Sequence, residues 1–195
     1  MAEKQVIFRK ATVADAPELL KIYSYYVKNT VITFEWDVPS LEDFQSRITN
    51  TLKRYPYILA IIDDKIVGYA YAGPFKSRAS YDWCVETSIY LHKDERGHGV
   101  GKKLLLQLEE ILKKMNILNV NACIAYAEPE DQYLKNASFR FHQKMGYRVV
   151  GQFKKCGYKF NRWYDMVWME KWIGDHVENQ PAVISFKEVL SDVGI

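Results

Sequence analysis

The sequence predicts an α/β sandwich with helices on a mixed sheet. Three observations carry this. Short apolar runs of strand length alternate with segments whose apolar residues recur at helical spacing. The chain has 195 residues, room for one domain with an extension. A chain of that size buries about 70% of its unfolded surface. Hydrophobic residues make up 48% and charged residues 26%, a globular balance.

Val6 to Arg9 reads as the first strand. Thr12 with Asp15 three residues on is a capping pair, and Ala16, Leu19, Leu20, Tyr23 and Val27 then share a helical face. Val31 to Phe34 is expected to be extended. Ser40 caps a second helix with Leu41, Phe44, Ile48 and Leu52 on one side. Tyr57 to Ile62 and Ile66 to Ala72 form a hairpin around Asp63-Asp64-Lys65. Trp83 to Leu91 is a strand, His92 to Gly99 a charged loop, and Val100 to Met115 a helix with Leu104, Leu105, Leu108, Ile111 and Leu112 inward. Val120 to Ala125 is a strand and Glu128 to Lys135 a loop. Asn136 to Met145 is a helix closed by Gly146 in the left-handed region. Tyr147 to Phe153 and Trp163 to Trp172 close the sheet. Residues 1–173 thus form the domain. Residues 174–195 read as a tail, docked on the domain or a partner, or disordered.

Composition narrows the function. Lys plus Arg exceed Asp plus Glu by 27 − 24 = 3, too mild and unclustered for a nucleic-acid surface. Cys84, Cys123 and Cys156 are an odd, scattered set without a CxxC, which excludes a disulfide framework and a cysteine zinc site. No metal is expected. A reduced, cytoplasmic setting fits. The N-terminus has no long apolar run, so no signal peptide is expected. No run of about 18 apolar residues exists, so no membrane span is expected.

The segment Arg96-Gly97-His98-Gly99-Val100-Gly101-Lys102 follows a strand and opens a helix. A helix N-terminus offers unpaired N–H groups and the positive end of the dipole. Glycines let a backbone approach an anion closely. Phosphate is the expected ligand. A P-loop is excluded: five residues before Gly101 stands Arg96, and Lys103 follows Lys102. A dinucleotide fingerprint fails because its sixth position is Lys102 and four strands precede it.

Arg96, Gly99 and Gly101 match Arg-x-x-Gly-x-Gly, the pyrophosphate signature of the GNAT N-acetyltransferases, position by position. Tyr71 to Lys76, Tyr81-Asp82-Trp83, Glu86, Ser138 to His142, Gly146-Tyr147 and Gly157-Tyr158-Lys159 with Trp163 and Asp165 resemble the phosphinothricin N-acetyltransferase branch. The likeness spans about residues 5 to 172. It implies a mostly antiparallel sheet splayed at a bulge in the cofactor strand, acetyl-CoA as co-substrate, and a homodimer. It also implies backbone contacts to the cofactor from Ile89, Tyr90 and Leu91, and from Gly97, His98 and Val100 beside the signature residues and Lys102. Asn136 resembles a pantetheine contact. The branch spacing puts that Asn seven residues before the His, where this chain has Lys135.

Forming an amide from a thioester requires a deprotonated amine, a stabilised oxyanion and a departing thiolate. Glu86 lies mid-strand among apolar residues, where burial raises a carboxylate pKa toward that of a usable base, direct or through water. The alternative is a structural ion pair. His142 is a candidate acid or second base, or a structural histidine. Phe34, Lys76, Arg78, Tyr81, Asp82, Trp83 and Lys159 are acceptor candidates: cations for a carboxylate, aromatics for walls.

The leading expectation is acetyl transfer to the amino group of a small amino-acid-like molecule of the phosphinothricin, methionine sulfoximine or methionine sulfone type. The alternatives are a polyamine, aminoglycoside or protein N-terminus as acceptor, or a non-enzymatic CoA-binding module.

Overall fold

The structure is a computed structural model that describes residues 5–195. The first four residues of the segment read above as lacking a signal peptide lie outside the described residues. Among the described residues, one seven-stranded sheet organises the chain. Its strands are β1 (Ile7–Lys10), β2 (Tyr57–Ile62), β3 (Lys65–Pro74), β4 (Cys84–Leu91), β5 (Asn119–Tyr126), β6 (Arg148–Lys159) and β7 (Arg162–Trp172). The order is β1-β2-β3-β4-β5-β7-β6. Every neighbouring pair is antiparallel except β4–β5, which is parallel. The expected mixed, mostly antiparallel sheet is what the chain forms.

The two faces carry different helices. On one, α1 (Ala16–Asn29) and α2 (Leu41–Thr51) bury Leu19, Ile22, Phe44 and Ile48 against Tyr57, Leu59 and Tyr69. On the other, α3 (Val100–Lys114) buries Leu104, Leu105, Leu108 and Leu112 against Ile58, Ala70, Val85 and Val120, and α4 (Ala137–Lys144) packs Phe139 and Phe141 beside them. Alternation along a strand sends neighbouring residues to opposite faces. Val85, Thr87, Ile89 and Leu91 therefore belong to the α3 side, and Glu86, Ser88 and Tyr90 to the α1 side.

Several local readings hold. Thr12 and Asp15 form a capping box, and Ser40 Oγ accepts from the Asp43 N–H at 3.0 Å. Gly146 takes φ +88° after α4. Two differ. Val31 to Phe34 is irregular, with bends at Val31 to Thr33, rather than a strand, because its backbone is held by Tyr133, Lys159 and Thr30 instead of a ladder. β6 runs to Lys159, well past Phe153, because Phe160 and Asn161 at φ +50° and +58° make a two-residue hairpin turn between the paired Lys159 and Arg162.

The C-terminal segment is docked. Phe186, 1% exposed, enters the α3 core from the short helix α5 (Phe186–Val189). The Ile184 N–H reaches the Met115 carbonyl at 3.0 Å, and Phe186 N–H the Arg54 carbonyl at 2.9 Å.

Candidate active site

The central feature is an opening in the sheet. β4 pairs with β3 in unbroken register from Val85 to Leu91. With β5 it pairs only at Cys84–Asn119, Val85–Val120 and Glu86–Asn121. Beyond Glu86 the parallel strands part. The expected splay is present, but no bulge interrupts the β3–β4 ladder; the opening comes from β5 turning away. Parting frees the backbone donors and acceptors of residues 87–91 on that edge. A cavity of about 190 Å³ occupies the opening, lined by Thr87, Ser88, Tyr90, Cys123, Arg96 and His142 among others. A second cavity, about 350 Å³, continues along Ile89 and Leu91 to Gly97, Gly99, Gly101, Lys102 and Ser138.

The glycine loop closes the far end of this cleft. Gly97 and Gly99 stand at φ +85° and +79°, where a side chain is strained. Gly99 caps the 15-residue α3 without a side chain, so the helix N–H groups stay open to an anion. Gly101 serves close packing: a Cβ there would lie 3.3 Å from Leu91 Cδ1 and 3.7 Å from the Phe141 ring. The Arg96 guanidinium sits 4.9 Å over the Tyr26 ring and 5.6 Å over Tyr25. The Tyr26 hydroxyl donates to the Leu91 carbonyl at 2.6 Å, tying α1 to the end of β4. His98 is exposed and Val100 is buried in the core, so both can meet a ligand only through backbone or from outside. The cradle fits a pyrophosphate, and the freed β4 edge fits an extended amide-bearing arm.

Glu86 stands where the strands part, on the α1 side, opposite Gly73 and Asn121. Burial raises its pKa above the usual carboxylate value, and Lys76 pulls it partly back. Lys76 itself lies 4.9 Å from the Phe75 ring and 6.0 Å from the Trp168 ring. His142 is 3% exposed and reaches the cleft from α4, on the other face. Its Nδ1 lies 2.8 Å from the Ser138 carbonyl. A carbonyl only accepts, so Nδ1 carries the proton and Nε2 is left with its lone pair. Burial lowers the His142 pKa, which leaves the ring neutral near pH 7. A neutral imidazole with Nε2 open is able to accept a proton, which suits a base or proton relay.

Other expected residues are spent elsewhere. Asn136 accepts from the Ala127 N–H at 3.0 Å and donates to the Ala127 carbonyl at 2.8 Å. Its shift by one residue puts it at the left-handed start of α4, φ +46°, where its amide pairs with strand backbone instead of a cofactor. Lys159 is 3% exposed and donates to the Val27 and Thr33 carbonyls at 2.8 and 3.0 Å. It clasps the α1–α2 loop and is not an anion contact. Asp82 pairs with Arg54 at 2.9 Å, and the Trp83 indole donates to the Pro181 carbonyl at 2.7 Å. Trp83 thereby holds the docked tail, and Asp82 holds the segment that follows α2. Tyr81 packs on Phe75, 5.9 Å between centroids. Arg78 is exposed on the β3–β4 loop. Phe34 lays its ring over Gly157 on β6 and lines neither cavity of the cleft.

Thr87, Ser88 and Cys123 line the cleft and were not foreseen as site residues. Strand alternation marks their faces, but only the sheet order, with β7 inserted between β5 and β6, brings Cys123 opposite Trp168.

Residues 8–168 match the family described as the acetyltransferase (GNAT) domain. The chain is 31% identical over 174 residues to the phosphinothricin N-acetyltransferase of Streptomyces coelicolor, covering 87% of this chain and 96% of that protein. It is 29% identical over 165 residues to an L-methionine sulfoximine/L-methionine sulfone acetyltransferase of Pseudomonas aeruginosa, covering 83% of this chain and 91% of that one. The solved phosphinothricin acetyltransferase from Sinorhizobium meliloti, in complex with AcCoA, superposes with a TM-score of 0.81 at 29% identity, over 93% of this chain and 98% of that one. The fold and cleft are those of an acyl-transfer enzyme. The chain belongs to the GNAT family and is an N-acetyltransferase of that type.

Proposed function

We propose that this enzyme acetylates the amino group of a small amino-acid-like acceptor, of the phosphinothricin, methionine sulfoximine or methionine sulfone type. Acetyl-CoA is the co-substrate, and it supplies a thioester-activated acetyl carbon. Relatives named for these acceptors, at 29–31% identity, support the class. The observation that carries the chemistry is Glu86, a half-buried carboxylate where β4 and β5 part.

In this reading Arg96, Lys102 and the N–H groups at Gly99 to Gly101 hold the pyrophosphate. The freed β4 edge at Ile89 to Leu91 orients the pantetheine arm. Glu86 takes the ammonium proton, directly or through one water, so that the amine can attack. Backbone N–H groups of that edge face the acetyl oxygen and stabilise its growing charge. Once the amine has added to the acetyl carbon, the His142 Nε2 lone pair takes the second amine proton and passes it to the departing CoA thiolate as the C–S bond breaks. Lys76 and Arg78 receive the acceptor's carboxylate. Unpaired Cys84, Cys123 and Cys156 suit a reduced, cytoplasmic setting.

We assign the homodimer contact to the outer strand β6 and to β7, where Val149, Val150, Phe153, Trp163 and Trp172 are 49–57% exposed. Light scattering giving a monomer mass overturns that assignment.

Thiol release from acetyl-CoA tests the function, with phosphinothricin, methionine sulfoximine, methionine sulfone, spermidine, an aminoglycoside and a short peptide as acceptors. Turnover of the amino-acid analogues, reduced at least about a hundredfold by Glu86→Gln with CoA binding retained, is expected. Turnover confined to the cationic or peptide acceptors overturns the substrate class.

A further inference from the structure

The loop between β5 and α4 is held rigidly beside the cleft. The Asp131 carboxylate accepts from the Tyr133 and Leu134 N–H groups, both at 2.8 Å, from Arg162 at 2.7 Å and from the Tyr164 hydroxyl at 2.6 Å. The Tyr133 carbonyl accepts from the Val31 N–H at 3.2 Å, and the Tyr133 ring stacks on Phe160, 4.2 Å between centroids. Leu134 is buried with Val31 and Ala125 on the α1 side. The Lys135 carbonyl accepts from Arg140, and the Asn136 amide is bound to Ala127. Lys135 is therefore pinned by its own backbone and by both neighbours. Its side chain is exposed and lines the cavity of about 190 Å³, and among the described residues its ammonium has no hydrogen-bond or ion-pair partner.

That cavity begins beside the reaction centre. Ser88 lines it, and Glu86 stands two residues before Ser88 on the same face of β4. Among the described residues its wall carries two cations, Arg96 and Lys135, and no carboxylate. A cavity walled by one sign of charge favours a ligand group of the other sign. In the function proposed above Arg96 serves the pyrophosphate, and its guanidinium is stacked on Tyr25 and Tyr26. Along β4, Lys76 and Lys135 lie on opposite sides of Glu86. Lys76 follows Pro74, which pairs with Val85, whereas the cavity with Lys135 runs along Thr87 to Tyr90. An amine at Glu86 thus has room for its carboxylate toward Lys76 and Arg78 and for its side chain toward Lys135. The Lys135 charge is left for a second anionic group.

We infer that Lys135 is a specificity-determining residue: it binds an anionic group at the end of the acceptor's side chain, so the enzyme prefers acceptors with two acidic groups to those with a neutral side chain. The inference rests on the amino-acid acceptor proposed above. That class leaves the charge open, because a phosphinate is an anion and a sulfone is neutral. The test measures kcat/KM for two pairs, glutamate with glutamine and phosphinothricin with methionine sulfone, in the wild type, Lys135→Met and Lys135→Arg. Lys135 is exposed, so the fold should survive, which thermal denaturation checks. The wild type should favour the charged member of each pair. Lys135→Met should lower the charged-to-neutral ratio at least about tenfold, through the KM of the charged acceptor. Lys135→Arg should keep most of the ratio, and the KM for acetyl-CoA should hold throughout. A wild type that favours the neutral members, a ratio that Lys135→Met leaves unchanged, or a loss shared by all four acceptors or seen in the KM for acetyl-CoA overturns the inference and leaves the function standing. No turnover of any amino acid, with CoA still bound, overturns both.

Discussion

Gly157→Ala is the sharpest probe of the acceptor wall. A Cβ at Gly157 would stand 2.5 Å from Phe34 Cε1 and Cζ and 2.8 Å from Cε2. Ordinary carbon contacts sit at about 3.5–4.0 Å, so the ring must retreat by about 1 Å. It cannot retreat freely. Thr33 is bonded to Lys159 on one side and Tyr23 on the other, and Glu35 is held by Arg47 at 2.6 Å. Overpacking of this kind costs about 1–3 kcal/mol, and for a chain this size each kcal/mol lowers Tm by about 2–4 °C. Phe34 is a candidate wall for the acceptor, so displacing its ring tests that role. The acceptor's KM should rise about tenfold, the equivalent of about 1.4 kcal/mol, while the KM for acetyl-CoA holds, since the glycine cradle lies on the other face. Gly151→Ala is the control on the same strand, because nothing stands within 4 Å of its added Cβ. Calorimetric melting and two-substrate steady-state kinetics read both effects. If Gly157→Ala matches Gly151→Ala in Tm and in acceptor KM, the wall reasoning is wrong.

Acidification should remove kcat/KM along a limb centred above the ordinary glutamate value of 4.5, because burial raises the Glu86 pKa and only the ionised form is a base. Lys76→Met removes the charge that holds that pKa down, so the limb should move to still higher pH; a pH–rate series measures both. Arg96→Ala removes a cation from the donor cleft and its stacking on Tyr26; titration calorimetry should show CoA binding weakened about 10–100-fold. Phe186→Ala opens a hole in the α3 core at a residue 1% exposed and should cost about 3–5 kcal/mol by chemical denaturation.

The glycine loop was legible because its geometry is local: a strand end, two glycines at positive φ and a helix start are consecutive in sequence. Glu86 was legible for a related reason, since a carboxylate within an apolar strand is conspicuous without knowledge of its neighbours. Lys159 and Asn136 misled because their types suit a ligand while their partners, Val27, Thr33 and Ala127, lie on other elements. Trp83 and Asp82 misled likewise, since nothing local tells that Arg54 and Pro181 claim them. A stack of three tyrosines under α1 was hidden by alternation itself. Tyr57, Tyr69 and Tyr71 read as ordinary buried strand positions until the register of β2 with β3 sets their rings in line.

The placement of Glu86 and His142 on opposite faces of β4 explains why the sheet has to part. An unbroken β4–β5 ladder would wall the α1 face off from the α3 face, with the carboxylate on one side and the glycine cradle on the other. Ending the ladder at Glu86–Asn121 makes a window with the Glu86 carboxylate at its sill. In the function proposed above, the donor's thioester enters from the α3 side, along the backbone freed by the parting, and the amine from the α1 side, where Glu86 points. Attack through the window would then let the two substrates share no surface except the reacting atoms. The same division accounts for the economy of charge. The cations needed by the pyrophosphate sit at the helix start, remote from Glu86, so they do not drag its pKa down. Lys76 alone is close enough to do so, and burial outweighs it.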